Sequence, residues 1–133
     1  MIRDLLSRGV EPQRILYYSC DLVEGPKRLL ELLRSYLGWA RRLTRERLYL
    51  FLDEVSSVRD WQLAVKQLAD LGQLRDCTLV LTGSHSLDVK RSSERMPGRR
   101  GRASTPLDKV MLPMKFAEYV ETLDEEIAGL LRR

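Results

Sequence analysis

Short apolar runs alternate with longer amphipathic repeats along this chain, and this order constrains its fold more than any other feature. The pattern predicts strands at 14–20, 47–52, 77–81 and, less strongly, 107–112. The helical spacing of apolar residues predicts helices at 2–8, 26–43, 61–71 and from Lys115 onward. Strands that alternate with helices form parallel sheets covered by helices. We therefore expect an α/β fold of three layers, in which a mainly parallel sheet lies between helices.

Two of the predicted helices carry clear boundary signals. Asp60 and Gly72 flank the helix at 61–71 as an N-cap and a C-terminal glycine, and Pro26 suits the first position of the helix at 26–43. The predicted buried stripe of the longer helix is Leu29, Leu33, Tyr36, Leu37 and Ala40. That of the shorter helix is Trp61, Val65, Leu68 and Leu71.

The size and composition indicate one globular domain with a single core. The chain has 133 residues, of which 44% are hydrophobic and 32% are charged, and this balance excludes a disordered tail or a fibrous repeat. The longest apolar run, Leu48 to Leu52, is far shorter than the roughly 18 residues that a membrane span needs. Cys20 and Cys77 are isolated in sequence, so we expect buried thiols in a cytoplasmic protein.

Basic residues are concentrated in the segment 88–102. This segment has six basic and two acidic residues, a local charge of +4 that equals the net charge of the whole chain. Such a run is either a solvated loop or a segment that faces an anion.

A buried strand followed by two carboxylates is the most specific candidate site. The run Leu48-Tyr-Leu-Phe-Leu ends in Asp53 and Glu54, and open α/β folds bind ligands at this edge of the sheet. There an aspartate can hold the water shell of Mg²⁺, and a glutamate can orient a water for attack on phosphorus. The next strand ends in a polar run, 82–86, whose hydroxyls or imidazole could sense a phosphate. The alternative interpretation is that the two carboxylates have no ligand and merely begin a loop.

Five motifs in order resemble those of prokaryotic AAA+ P-loop ATPases. They are Asp53-Glu54-Val, Asp60-Trp61, the run Thr82-Gly-Ser-His-Ser86, Pro97-Gly-Arg-Arg100, and the stretch from Leu112 to Tyr119. The resemblance covers nearly the whole chain and implies ATP and Mg²⁺ as cofactors. It identifies Asp53 as the magnesium residue, acting through water, and Glu54 as the catalytic base. It further implies that Ser84 ends the sensor strand and that Arg99 or Arg100 is the arginine finger.

The resemblance also has a gap, because no phosphate-binding loop is present. That loop requires Gly-x-x-x-x-Gly-Lys-Ser/Thr, and none of the eight glycines is followed by lysine. We therefore expect residues 1–133 to be one partial AAA+ core that begins downstream of the loop and lacks the family's second domain. Such a chain should bind ATP weakly or not at all and should not hydrolyse it.

In the family that the motifs resemble, the strand that leads into the phosphate-binding loop normally lies beside the strand that ends at Thr82. An uncovered sheet edge favours pairing with another chain. We therefore expect self-association, a swapped element, or rearrangement of 107–112 to cover this edge. The resemblance also leaves open a protein or nucleic-acid substrate for the full ATPase, and it implies no membrane partner.

A second hypothesis is a non-enzymatic module that contacts nucleic acid through 88–102. Its affinity would fall steeply with salt. The segment has no interleaved aromatic residues for base stacking, which argues against it.

Overall fold

The computed structural model describes residues 1–84 and 116–123. The helices are α1 (Ile2–Ser7), α2 (Pro26–Leu43), α3 (Trp61–Asp70) and α4 (Phe116–Leu123). The strands are β1 (Ile15–Ser19), β2 (Leu48–Asp53) and β3 (Cys77–Leu81). These elements confirm the predicted strands and helices of the described ranges, with boundaries that shift by one or two residues. The predicted strand at 107–112 and the segment 88–102 lie outside the described residues.

The three strands form a parallel sheet in the order β1-β2-β3. Each connection crosses from one strand to the next through a helix, and such crossovers are right-handed. The chain steps across the sheet in one direction, so α2 and α3 lie on the same face and pack against each other. The described part of the chain therefore has the α/β fold expected of a P-loop NTPase.

The core lies between this face of the sheet and the two helices. Alternate residues of β2, Leu48, Leu50 and Leu52, are fully buried there. The helices contribute Leu29, Leu33, Leu37 and Ala40 from α2 and Trp61, Ala64, Val65 and Leu68 from α3. Phe51 points to the opposite face of the sheet and is also buried. Burial of β2 on both faces is what the three-layer prediction requires.

The end of α3 follows the prediction. Gly72 adopts a left-handed backbone (φ 69°), and its amide donates to the Ala69 carbonyl. The next amide, that of Gln73, donates to the Leu68 carbonyl, which completes a Schellman turn.

The structure corrects one detail of the helix predictions and refines two others. Leu71, expected on the buried stripe, is 58% exposed because it follows the last turn of α3. Asp60 lies at the N-cap but accepts no capping hydrogen bond, since its own backbone is left-handed (φ 56°). Tyr36 is only half-buried, and its hydroxyl donates to the Gln13 carbonyl at 3.1 Å.

Within residues 1–84 and 116–123, every helix is too short or too polar to span a bilayer.

Candidate active site

The candidate site lies at the edge of the sheet where the three strands end. Asp53 is the last residue of β2, and hydrogen bonds on both sides extend the ladder just past it. The Cys20 amide donates to the Asp53 carbonyl at 2.8 Å, and the Thr82 amide donates to the Leu52 carbonyl at 3.0 Å. Both flanking chains are thereby fixed beside the acidic pair.

The Asp53 carboxylate accepts a hydrogen bond at each oxygen. The Tyr17 hydroxyl donates to Oδ2 at 2.8 Å, and the Thr82 hydroxyl donates to Oδ1. The bond from Thr82, followed by that from Tyr17, holds the pKa of Asp53 below its ordinary value. The same contact with Asp53 raises the pKa of Tyr17. Asp53 is therefore an ionised, pre-oriented carboxylate at neutral pH.

Glu54 turns away from the strand through a left-handed backbone (φ 50°, ψ 40°). A non-glycine residue in this region is uncommon and is retained where the surroundings determine it. Here the Ser84 hydroxyl donates to Oε1 at 2.6 Å, and the Ser84 amide donates to Oε2 at 3.1 Å. The carboxylate of Glu54 is thus oriented at both oxygens by the chain that follows β3.

A single hydroxyl links the two acidic residues. Thr82 Oγ1 accepts the Glu54 backbone N–H at 3.2 Å while it donates to the Asp53 carboxylate. A threonine hydroxyl has one donor and two acceptor positions, so both contacts are compatible. The Val55 amide also donates to the Thr82 carbonyl at 2.9 Å. The segments after β2 and β3 therefore form one hydrogen-bonded unit.

The site thus combines a buried parallel strand with two adjacent, oriented carboxylates. A sequence comparison shows the family of the chain. Residues 1–120 match the AAA domain family. The chain belongs to this family. In an alignment 128 positions long that covers 89% of the chain, this AAA domain is 30% identical to an uncharacterized protein of Methanocaldococcus jannaschii. The match covers 25% of that protein, so the chain spans about a quarter of the length of this curated relative. No solved structure matches the chain significantly.

Family membership confirms the resemblance that the motifs suggested, and the geometry adds to it. The structure brings Asp53, Glu54 and Ser84 of this AAA domain together at one edge of the sheet. The candidate arginines, Arg99 and Arg100, lie outside the described residues. The roles of all five remain predictions.

Tyr17 was not among the predicted site residues, and Thr82 was named only as part of the polar run 82–86. Thr82 had a signal in the sequence, since it begins the polar run after β3. Tyr17 had none, because it lies in mid-strand and reaches Asp53 only through the register that pairs Tyr17 with Phe51 and Ser19 with Asp53.

Cys20 lies against this edge, and its surroundings disfavour a nucleophilic thiolate. Its side chain is buried, and burial, followed by the charges of Asp21 and Asp53, raises its thiol pKa to about 11. Thiolate, the reactive form, is scarce at neutral pH under these conditions.

Proposed function

We propose that this AAA domain supplies the metal- and water-orienting half of an ATP-hydrolysing site. The observation that carries the proposal is the pair of adjacent carboxylates at the end of β2, each oriented by a hydroxyl from the chain after β3. Ligands of open α/β sheets bind at this edge.

Asp53 fits the role of a magnesium residue. Mg²⁺ prefers carboxylate oxygens and keeps several of its waters. The Asp53 carboxylate is ionised and is held from two sides by Tyr17 and Thr82, and its remaining lone pairs can accept hydrogen bonds from water. When bound, Mg²⁺ would neutralise charge on the ATP phosphates.

Glu54 fits the role of the base that orients the attacking water. The two neighbouring carboxylates have separate partners, since Ser84 holds Glu54 whereas Tyr17 and Thr82 hold Asp53. In our proposal Ser84 is a positioning residue, because its hydroxyl and amide fix the orientation of the Glu54 carboxylate.

The phosphate-binding half of this site comes from outside these 133 residues in our proposal. No glycine of the chain precedes lysine, so the backbone cradle for phosphates is not encoded here. Catalysis of phosphoryl transfer depends on positioning and on charge stabilisation. We therefore expect the 133-residue chain to show no magnesium-dependent ATP turnover. Turnover that disappears in Glu54→Gln would contradict this expectation.

Binding of Mn²⁺, a paramagnetic substitute for Mg²⁺, tests the metal role directly. At millimolar Mn²⁺ we expect the backbone amide signals of residues 53–54 and 82–84 to broaden first in nuclear magnetic resonance spectra. Asp53→Asn should abolish this selective broadening. The matched control is Asp21→Asn, which removes an exposed carboxylate from the same edge of the sheet. Broadening that persists in Asp53→Asn, or that is lost equally in Asp21→Asn, would contradict the assignment.

We also propose that β3 associates, along its edge opposite β2, with another copy of the chain. Within residues 1–84 and 116–123, β3 pairs only with β2, and all five of its residues are half-buried. Sedimentation velocity should therefore detect a concentration-dependent dimer, and a monomer at all concentrations would contradict this.

Both cysteines are free thiols, which supports our proposal of a cytoplasmic protein.

A further inference from the structure

A groove lined by arginines lies at the other end of the sheet from the acidic pair. It runs between the last turns of α2 and the turn that leads from α3 into β3, and it has a volume of about 400 Å³. Its walls carry four arginines and one acidic residue, namely Arg34, Arg41, Arg45, Arg75 and Asp76. Leu48 pairs with Cys77 at this end, and β2 then runs for about 16 Å before it reaches Asp53. The groove is therefore separate from the candidate active site.

Two of the groove's arginines, Arg34 and Arg41, contact neutral groups of the described residues. Arg41 donates to the main-chain carbonyls of Glu46 at 2.7 Å and of Arg75 at 2.9 Å, which joins the end of α2 to the turn before β3. Arg34 contacts the neutral Gln73 side chain at 3.4 Å. The ion pairs within residues 1–84 and 116–123 involve other arginines, those at 8, 14, 28 and 59. With Asp76 included, the lining has a formal charge of +3.

Gly38 keeps the floor of this groove open. It lies in the interior of α2, between Arg34 and Arg41 on the same helix face, and it is exposed. A glycine in a helix interior is less favourable than alanine by roughly 0.8–1.0 kcal/mol, so this position is not explained by helix stability. A Cβ atom added at Gly38 would meet nothing within 4 Å. Any longer side chain there would project into the groove.

We propose that this groove binds the phosphodiester backbone of a single nucleic-acid strand. Guanidinium groups bind phosphate through paired hydrogen bonds. Arg41 follows Arg34 by seven positions along the helix, a rise of about 10 Å, so the groove can contact phosphates of more than one nucleotide. None of the residues that line the groove is aromatic, and bases therefore have no surface on which to stack. Binding should depend on the backbone and be independent of base sequence.

The first test measures binding of a fluorescein-labelled single-stranded DNA of about 20 nucleotides by anisotropy. Arg34 and Arg45 are exposed, so Arg34→Gln with Arg45→Gln should leave the fold intact. We expect this double variant to bind about tenfold more weakly at low salt. The slope of log K against log salt should become less steep by about 1.4, since two phosphate contacts are lost. The matched control is Arg3→Gln with Arg59→Gln, an equal charge change at exposed sites elsewhere, which should bind as the unaltered protein does.

A second pair of variants differs in one charge on the floor of the groove. Glu and Gln are both better helix formers than glycine, so Gly38→Glu and Gly38→Gln should melt no lower than the unaltered protein. Gly38→Glu should bind the DNA much more weakly than Gly38→Gln.

Asp76→Asn removes the acidic residue of the groove and keeps a residue type that tolerates the left-handed backbone at this position (φ 53°). It should tighten binding about twofold.

Several outcomes would overturn the proposal. One is equal binding by Gly38→Glu and Gly38→Gln, and another is unchanged binding by the Arg34 and Arg45 double variant. A third is loss of binding only when Arg99 and Arg100 are replaced by glutamine, which would assign the DNA to the segment 88–102. Competition separates the possible ligands: unlabelled DNA should displace the probe at far lower concentration than inorganic phosphate or polyglutamate. Displacement by polyglutamate at equal charge concentration would indicate an acidic protein segment and contradict the proposal.

Discussion

Ser84 holds the carboxylate of Glu54 at both oxygens, with its hydroxyl at 2.6 Å from Oε1 and its amide at 3.1 Å from Oε2. The two residues lie 30 positions apart in sequence, after neighbouring parallel strands. The contact joins the turn that follows β2 to the chain that follows β3. It therefore fixes the direction of the Glu54 carboxylate, although the backbone of Glu54 lies in the unfavourable left-handed region.

This contact predicts an energetic coupling between Ser84 and Glu54. In a double-mutant cycle of Ser84→Ala and Glu54→Ala, we expect a coupling of about 0.5–1 kcal/mol in the free energy of unfolding by urea. The value is modest because Ser84 is exposed to solvent. Ser57 is the control, since Ser57→Ala removes an exposed hydroxyl close to Glu54 in sequence and should add to Glu54→Ala without coupling. Strict additivity of Ser84→Ala and Glu54→Ala would mean that the hydroxyl does not orient the carboxylate.

The hydrogen bonds at Asp53 predict a low pKa that depends on Thr82 more than on Tyr17. Titration of the Asp53 carboxyl carbon by nuclear magnetic resonance should give a midpoint below the ordinary 3.8. Thr82→Val should raise it most, and Tyr17→Phe should raise it less. Thr44→Val, at the opposite end of the sheet, should leave it unchanged.

The same bonds give the pH dependence of stability a definite sign. Because the pKa of Asp53 is lowered by folding, the ionised carboxylate stabilises the fold above its unfolded pKa. This contribution is lost as the pH falls through the lower, folded pKa. The difference in unfolding free energy between the unaltered protein and Thr82→Val should therefore shrink below about pH 3.8. A difference that grows on acidification would contradict the assigned hydrogen bonds.

Much of the fold was predictable because its elements are local patterns. Pro26–Leu43 is a helix over the predicted residues, and its buried stripe repeats every three or four positions. β2 was predictable because it is apolar on both faces. The proximity of Glu54 and Ser84 also followed from the sequence, since neighbouring parallel strands end at the same edge of a sheet.

The remaining features depend on register and on backbone conformation, which no local pattern reports. Tyr17 reaches Asp53 only because β1 pairs with β2 in one particular register. The left-handed turn at Glu54 has no signal, since glutamate is not a residue that favours it. The groove could not be predicted from the sequence for a related reason. Arg34 and Arg41 share a helix face in the sequence, whereas Arg75 reaches the groove from a turn more than 30 residues away.

Gly72 and Gly38 should respond to alanine in opposite ways. Gly72 has a φ of 69°, and a Cβ there would lie 3.3 Å from the Arg75 side chain. Gly72→Ala should lower the free energy of unfolding by about 1–2 kcal/mol because alanine disfavours this conformation. Gly38 lies in the interior of α2 with open space around it, so Gly38→Ala should raise stability by up to about 1 kcal/mol. Urea unfolding of both variants checks the signs, and two changes of the same sign would contradict the backbone conformations assigned to these glycines.

Leu50 should be the most sensitive single position of the central strand. Its side chain is fully buried, and its neighbours in register are Leu16 on β1 and Leu79 on β3. Leu50→Ala would remove packing from all three strands and leave a cavity, so we expect a loss of about 2–5 kcal/mol. Leu22→Ala is the matched control, because Leu22 is 94% exposed and its truncation should change stability by less than about 0.5 kcal/mol. Leu50→Met, which nearly conserves volume, should cost less than about 1.5 kcal/mol. If Leu50→Ala and Leu22→Ala were equally mild in urea unfolding, the core would not lie where β2 meets α2 and α3.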